Sequence, residues 1–341
     1  MPSEKPIIWF DITNVPHVNF LKPLYKLLKD RHDILFTVRD FAESIGLFKS
    51  QIAEPFIKVG EHKGQNRIRK VFGVFERTYQ LFNFVREFDI KISVGGDSSS
   101  LYAKLRRKPS ITFDDNEKAP NWRYSHFSDF AFWPEAIPIE DILRQGFRRH
   151  KLYQYHGYKE DIYVADYIPD PSFLKQLPFD NYVVVRPENI QANYVNGNRS
   201  LVPNLLQGLA NSGINILFLP RYKHDIDYAS GFKNVCLPDK ALNGLDVCYY
   251  SDAVLTGAGT LAREAACLGV PSFSFYAGKE LLTVDKKMIH DGQMFFSRDA
   301  DELVNKVLKS SKQEPDLQRT RKIQEEVKGK LFQVLDEFGI A

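Results

Sequence analysis

Ser251-Asp-Ala-Val-Leu-Thr-Gly-Ala-Gly-Thr-Leu-Ala-Arg-Glu-Ala-Ala-Cys-Leu-Gly-Val-Pro271 reads as one strand, one turn and one helix. Ala253 to Leu255 form a short apolar run, the pattern of a buried strand. Thr256, Gly257, Ala258, Gly259 and Thr260 make a small turn broken by glycines, and Leu261, Ala265 and Leu268 fall on one face of the helix that follows. Gly269 suits a left-handed helix stop, and Pro271 opens the next strand. A strand that turns this sharply into a helix aims the first free N–H groups at one point, and glycines let an anion touch them. The turn is therefore a candidate diphosphate cradle. Glu264, one helical turn beyond Thr260, is placed to accept hydrogen bonds from two ribose hydroxyls. The plainer alternative is a tight strand–helix turn with Glu264 paired to Arg263 or solvated.

Working outward, the 341 residues suit about two domains. A 26% charged and 13% aromatic composition is that of a globular chain. A net charge of +3 is too small to imply nucleic acid, and acids and bases are interspersed except at Arg67-Ile-Arg-Lys70, Arg106-Arg-Lys108 and Arg148-Arg-His-Lys151. Cys236, Cys248 and Cys267 have no metal spacing and apolar neighbours, which predicts buried thiols in a reducing compartment. No apolar run has spanning length and no signal peptide is legible, so a cytoplasmic protein without stable membrane insertion is expected.

Before this stretch, strand and helix alternate. Ile7 to Phe10 read as a central strand ended by Asp11, followed by Thr13-Asn-Val-Pro-His17 and a helix to Leu28. Val71, Phe75, Tyr79, Phe82 and Val85 repeat at three and four residues, the period of a helix. Ile90 to Val94 form a strand before Gly95-Gly-Asp-Ser-Ser-Ser100, and Ser110 to Phe113 form another before Asp114-Asp-Asn-Glu117. The irregular stretch from Glu135 to Pro178 marks a junction, and Tyr182 to Val185 restart the pattern, ending in Arg186-Pro-Glu188. Such alternation predicts parallel sheets with helices on both faces, repeated in two units.

Ligands of such sheets bind beyond the carboxyl ends of the strands, and two facing units make a cleft. The first unit offers Asp11, Asn14, His17, Asp97, Ser98, Asp114 and Asp115 there. His17 opens a helix, whose dipole would keep the imidazole neutral and able to take a proton; its alternative is capping or packing. Asp97 is equally readable as the cap of its own helix. Asp114 and Asp115 are expected to point to opposite sides, with at most one in the cleft and the other solvated. The second unit offers Arg186, Glu188, Arg221, Lys223 and His224 beside the Thr256–Thr260 turn. Arginines grip a diphosphate bidentately, though they also suit ion pairs with the first unit's acids. Acids and a histidine in one unit, with arginines and a phosphate turn in the other, suit a sugar nucleotide. The loop Gly60–Arg67 is readable either as a cover for an acceptor or as plain surface.

Three segments together resemble the domain-of-unknown-function 354 family of glycosyltransferase-like proteins: Trp9-Phe-Asp-Ile-Thr-Asn-Val-Pro-His-Val-Asn-Phe-Leu-Lys-Pro-Leu24, Tyr182-Val-Val-Val-Arg-Pro-Glu188 and Leu255 through Pro271. More distantly the chain is similar to UDP-N-acetylglucosamine 2-epimerases and the peptidoglycan N-acetylglucosaminyltransferase. The resemblance implies the GT-B fold, an α/β architecture of two facing Rossmann-like domains. These would be residues 1–165 for sugar and acceptor and 166–315 for the nucleotide, with 316–341 as a helix crossing back to the first. It implies that Gly257, Ala258, Gly259 and Thr260 hold the diphosphate and that Glu264 binds the ribose. Gly95-Gly-Asp-Ser-Ser-Ser100 resembles the Gly-Asp-Thr-Thr-Ser turn of the epimerases. Asp114 or Asp115 falls near their next acidic residue, and His17 where GT-B transferases often carry a base. The chain departs from these relatives at Asn14-Val-Pro-His17 and at Ala258, which spaces the glycines of the phosphate turn.

Three activities remain open at this stage. The first is a glycosyltransferase using a nucleotide-diphosphate sugar, UDP-linked by preference, without metal or other cofactor, since positive groups take a metal's place and no Asp-x-Asp of the metal-using kind is legible. The second is a sugar-nucleotide 2-epimerase using Asp97 with Asp114 or Asp115. The third is a non-catalytic nucleotide-sugar-binding protein. The expected partners are the sugar nucleotide and an unknown acceptor, no nucleic acid, with a homodimer left open.

Overall fold

The computed structural model describes residues 5–41, 44–61, 67–188, 200–240 and 242–340, with side chains from 72 onward in the helix that starts at 67. Most of the Gly60–Arg67 loop lies outside these residues. The chain divides into two compact units, residues 1–163 with 321–341, and residues 164–320.

The first unit is built on β1 (Ile7–Ile12), α1 (Val15–Leu28), β2 (Asp33–Asp40), α2 (Ser44–Gln51), β3 (Ile57–Glu61), α3 (Arg67–Phe84), β4 (Ile90–Val94) and α4 (Asp97–Leu105). β5 (Ser110–Phe113), α5 (Trp122–Ser125), β6 (Phe130–Pro134), α6 (Ile139–Arg144), β7 (Leu152–Tyr155) and α7 (Lys159–Val164) follow. The strands form one sheet in the order β3-β2-β1-β4-β5-β6-β7, and every adjacent pair is parallel. The order reverses between β1 and β4, the point where crossovers change face and a crevice opens beyond the strand ends. Accordingly α1 packs beside α2, and α3 beside α4.

β7 and its neighbours fall in the stretch read from sequence as an irregular junction. Leu152–Tyr155 is short and half polar, so no apolar run announces an edge strand.

The second unit continues with β8 (Val183–Arg186), α8 (Val202–Asn211), β9 (Ile216–Phe218), β10 (Val235–Cys236), α9 (Gly244–Tyr250), β11 (Ala253–Thr256), α10 (Gly259–Cys267), β12 (Ser272–Ser274), α11 (Thr283–His290), β13 (Phe295–Phe296) and α12 (Ala300–Leu308). Its sheet is also parallel, in the order β10-β9-β8-β11-β12-β13, and reverses between β8 and β11. Val183, Val185, Leu255, Phe218 and Phe273 of these strands pack with Leu205, Leu209 and Leu303 of the covering helices.

α13 (Leu317–Glu337) closes the chain. Ile323, Val327, Leu331 and Val334 form its buried stripe. Gln324 Nε2 donates to Ile162 O at 2.8 Å, and Tyr153 Oη donates to Glu326 at 2.7 Å.

The face of α3 departs from the periodicity reading. The helix forms, but Phe75, Tyr79 and Phe82 are exposed, while Arg77, Thr78, Leu81 and Val85 are buried. The cause is Asp11, wholly buried on the β1 face that also carries Trp9. A buried carboxylate needs a counter-charge, and Arg77 supplies it, so the helix turns its arginine inward. Leu81 and Val85, one and two turns on, then pack with Trp9 and Tyr102. Gly60 allows the approach: a Cβ there would lie 2.9 Å from Arg77 Cδ. Among the described residues, no helix is long and apolar enough to cross a membrane.

Candidate functional site

At the reversal point of the first sheet, Asp11 pairs in register with Thr37 of β2 and Ser93 of β4. Arg77 Nη1 donates to Asp11 Oδ2 at 3.0 Å and Nη2 to Oδ1 at 2.6 Å. Thr37 Oγ1 donates to Oδ1 at 2.6 Å and accepts from Trp9 Nε1 at 2.8 Å. Burial alone would raise the Asp11 pKa, but the Arg77 charge and these hydrogen bonds hold it well below the usual carboxylate range. Asp11 is thus a fixed anion that positions its neighbours. Lys91, fully buried on β4, donates to Ser100 Oγ at 2.8 Å. Burial pushes its pKa down to about 7, against the pull of Asp11.

His17 is the third residue of α1 and half-buried. Its Nδ1 lies 3.3 Å from Thr13 Oγ1. Its pKa is pushed down to about 3, first by burial and then by the charge of Lys159, with Arg39 adding to it and Asp11 and Asp115 opposing. The neutral imidazole expected from the helix dipole is present for a different main reason. The cap role falls instead to Asn14, exposed, whose Oδ1 accepts from Val15 N at 2.9 Å.

Asp97 is not the cap of α4. Gly96 holds that position, and Asp97 is the first helical residue, 3.7 Å from Arg123. Burial raises its pKa against the pull of Arg123. Ser98 Oγ is occupied by Val74 O at 3.1 Å.

Asp114 and Asp115 do not diverge into crevice and solvent, because the strand ends at Phe113 and the alternation with it. Both are buried. Asp114 Oδ1 accepts N–H bonds from Asp115 at 2.7 Å and Asn116 at 3.0 Å, and Tyr124 Oη donates to Oδ2. Burial and the neighbouring Asp115 still push its pKa up to about 6. Asp115 pairs with buried Lys159 at 2.8 Å. One neutral base and two carboxyls with raised pKa therefore share this end of the sheet, a setting for proton transfer near neutrality.

In the second unit, Arg186 at the end of β8 lies in register with Thr256 of β11. Burial and the charge of Arg221 push the Arg186 pKa down to about 10, with Glu264 opposing. Glu264 is buried, and its Oε2 lies near Gly244, 3.5 Å from where a Cβ would stand. It is not solvated, and Arg263, its neighbour in sequence, pairs with Asp285 at 2.7 Å. Arg221 Nε is buried without a hydrogen-bond partner among the described residues. Glu188 is taken up by Arg298 at 2.7 Å and by Ser200 at 2.9 Å. His224 lies stacked on Tyr222.

The turn forms between β11 and α10, with one adjustment. Gly257 N donates to Arg186 O at 3.1 Å and Ala258 N to Thr256 Oγ1 at 2.9 Å, so both amides are already spent. Gly257 serves close approach instead, since a Cβ there would lie 2.5 Å from Glu188 Cα. Gly259 and Thr260 begin α10, which has no side-chain N-cap, and the first amides of a helix have no partner within it. The donors suited to an anion are therefore at Gly259 and Thr260, the second half of the Gly257–Thr260 turn. No group of three or more His, Cys, Asp or Glu side chains able to hold a metal ion occurs among the described residues. Cys248 and Cys267 are buried free thiols, and Cys236 is only half-buried.

A family model described as "Protein of unknown function (DUF354)" matches residues 7–336. The chain belongs to the DUF354 family. An uncharacterized protein of Methanocaldococcus jannaschii is 29% identical to this DUF354 chain over 315 residues, 88% of this chain and 90% of the relative. Among solved structures, UDP-N-acetylglucosamine 2-epimerase from Rickettsia bellii matches with a TM-score of 0.71 at 12% identity, covering 98% of each chain. The Methanocaldococcus jannaschii UDP-GlcNAc 2-epimerase, in complex with UDP-GlcNAc and UDP, matches at 0.66 and 16% identity, covering 89% of this chain and 92% of its own. The glycotransferase of kitacinnamycin matches at 0.62 and 10% identity, covering 98% and 99%. The DUF354 chain thus has the α/β fold of GT-B-type epimerases and glycosyltransferases, with two parallel-strand sheets.

Sequence reasoning missed Arg77, Lys91, Lys159, Arg39 and Tyr124 of the DUF354 chain. Lys91 carried a signal: it stands second in Ile90-Lys-Ile-Ser-Val94, where a strand covered on both faces should be apolar throughout. Arg39 stands at the carboxyl end of β2 itself, whereas Arg77, Tyr124 and Lys159 reach the strand ends from helices, which no local spacing reveals.

Proposed function

We propose that the chain is an enzyme that acts on a nucleotide-diphosphate sugar, UDP-linked by preference, and transfers the sugar to an acceptor hydroxyl. The observation that carries this reading is the charge at the end of β8. Arg186 and Arg221 lie close enough to repel, one carboxylate, Glu264, offsets them, and the uncapped start of α10 adjoins through Thr256. That excess of positive charge beside helix amides suits a diphosphate, and Glu264 suits the ribose. The fold likeness to an epimerase in complex with UDP-GlcNAc and UDP supports the choice of nucleotide.

In this reading, His17 Nε2 takes the acceptor's hydroxyl proton while Nδ1–H donates to Thr13. The acceptor oxygen bonds the sugar's anomeric carbon as the bond to the diphosphate breaks. The electron pair leaves on the phosphate oxygen, stabilised by Arg186, Arg221 and the start of α10. Lys159 and Arg39 depress the His17 pKa, so a bound anion that neutralises them would raise its basicity.

Epimerisation at C2 is the second reading, favoured by the raised pKa values of Asp97 and Asp114. Such carboxyls can exchange protons near neutrality. Incubating the protein with UDP-, GDP- and TDP-sugars separates the two. Turnover only with added acceptor supports transfer, and sugar interconversion without acceptor supports epimerisation. No binding of any sugar nucleotide would overturn both.

A further inference from the structure

The α3 face that Arg77 turns outward is apolar. Phe72, Phe75, Tyr79 and Phe82 are 70, 62, 68 and 43% exposed and lie on one stripe of the helix, three and four residues apart. The stripe continues onto α4. Phe82 packs edge-on against Tyr102 at 4.6 Å, Arg106 lies over the Tyr102 ring at 5.9 Å, and Leu105 beside it is exposed.

The far end of this face is basic: Arg86 follows the last turn of α3, with exposed Arg106 and Arg107 at the end of α4. Glu76 and Glu87 are the acids on the exposed side of the same stretch.

We propose that this face docks on an anionic lipid bilayer, with α3 lying in the headgroup plane. Aromatic side chains favour the boundary between headgroups and acyl chains, and the exposed Arg86, Arg106 and Arg107 meet anionic headgroups. A second copy fits less well. A parallel two-fold pairing of the stripe would set Arg86, Arg106 and Arg107 of the two copies against one another. The surface lies wholly in the first unit, and the proposal does not depend on the sugar-nucleotide reading.

The test is sedimentation of the full chain with vesicles of phosphatidylcholine alone or mixed with phosphatidylglycerol, at low and high salt. The expected result is binding to the anionic vesicles alone, weakened by salt. The double variant Phe75→Ser with Tyr79→Ser should lower the partition coefficient about tenfold or more. Arg106→Ala should lower it about fivefold. Because Arg106→Ala changes only an exposed side chain, it still decides the matter if the double variant does not fold. No binding to anionic vesicles, or binding unchanged in the folded variants, would overturn the proposal. So would light scattering that finds a dimer split by Phe75→Ser, since a second copy would then cover the face.

Discussion

Arg77 Nη2 lies 2.6 Å from Asp11 Oδ1, with both groups buried. This contact joins the middle of α3 to the end of β1 and sets which side of α3 faces the sheet. It places Leu81 and Val85 inward against Trp9 and leaves Phe75 and Tyr79 in water. A single ion pair thus overrides an apolar period of three and four: a buried carboxylate left unpaired is strongly destabilising, and Leu81 and Val85 still give α3 an apolar face toward the sheet.

Arg77→Met is expected to destabilise the protein by about 3–5 kcal/mol at neutral pH, since it leaves Asp11 buried and unpaired. Asp11→Asn combined with Arg77→Met should recover much of that loss. Urea unfolding of both variants measures it. The Asp11 pKa is depressed in the fold, so the pair's contribution is present above the unfolded pKa and fades as pH falls below about 4. A fully stable Arg77→Met would rule out the pair as the determinant of the α3 face.

Asp114→Asn is expected to raise stability at alkaline but not at acid pH. The carboxyl pKa is raised from the ordinary 3.8 to about 6, so the fold favours the protonated form. Stability is therefore lost as pH rises from 3.8 to about 6 and stays lower above it. The interval is worth about 3 kcal/mol at most. Melting temperatures at pH 4 and pH 8 should diverge between parent and variant only at the higher pH. A constant difference at both would show that Asp114 does not titrate in this way.

Histidine NMR provides an independent check. The ring signals of His17 should stay fixed from pH 8 to pH 5, because burial and Lys159 push its pKa down to about 3. His156 serves as the internal contrast. Its hydrogen bond to Glu326 raises its pKa, so its signals should move at or above the ordinary histidine range. A His17 titration near pH 6.5 would show that Lys159 and Arg39 do not set its charge.

Glu264→Gln is expected to weaken UDP binding by about 1–3 kcal/mol, the cost typical of a lost partner for a buried polar group. Arg186→Gln should weaken it by a similar amount or more. Calorimetry with UDP measures both. Affinity unchanged in Glu264→Gln would remove this carboxylate from the nucleotide's contacts.

The sequence alone determined most of the strands, their parallel pairing and the strand–turn–helix at Ala253–Cys267, but not the short edge strand β7. Those features depend on apolar runs, glycine placement and helix period, all of them local. It also placed His17 near a helix start, Arg186 at a strand end and Glu264 one turn into its helix, because order along the chain fixes which residues follow a strand. Only the tertiary structure decided their electrostatic state. Asp11 became a fixed anion because Arg77 reaches it from 66 residues away. Asp115 became a paired carboxylate because Lys159 comes from α7. Arg263 became the partner of Asp285 because α11 brings that carboxylate to it. Each of these outcomes follows from burial, which makes every charge find a partner wherever the fold brings one near, and no spacing along the chain encodes that choice.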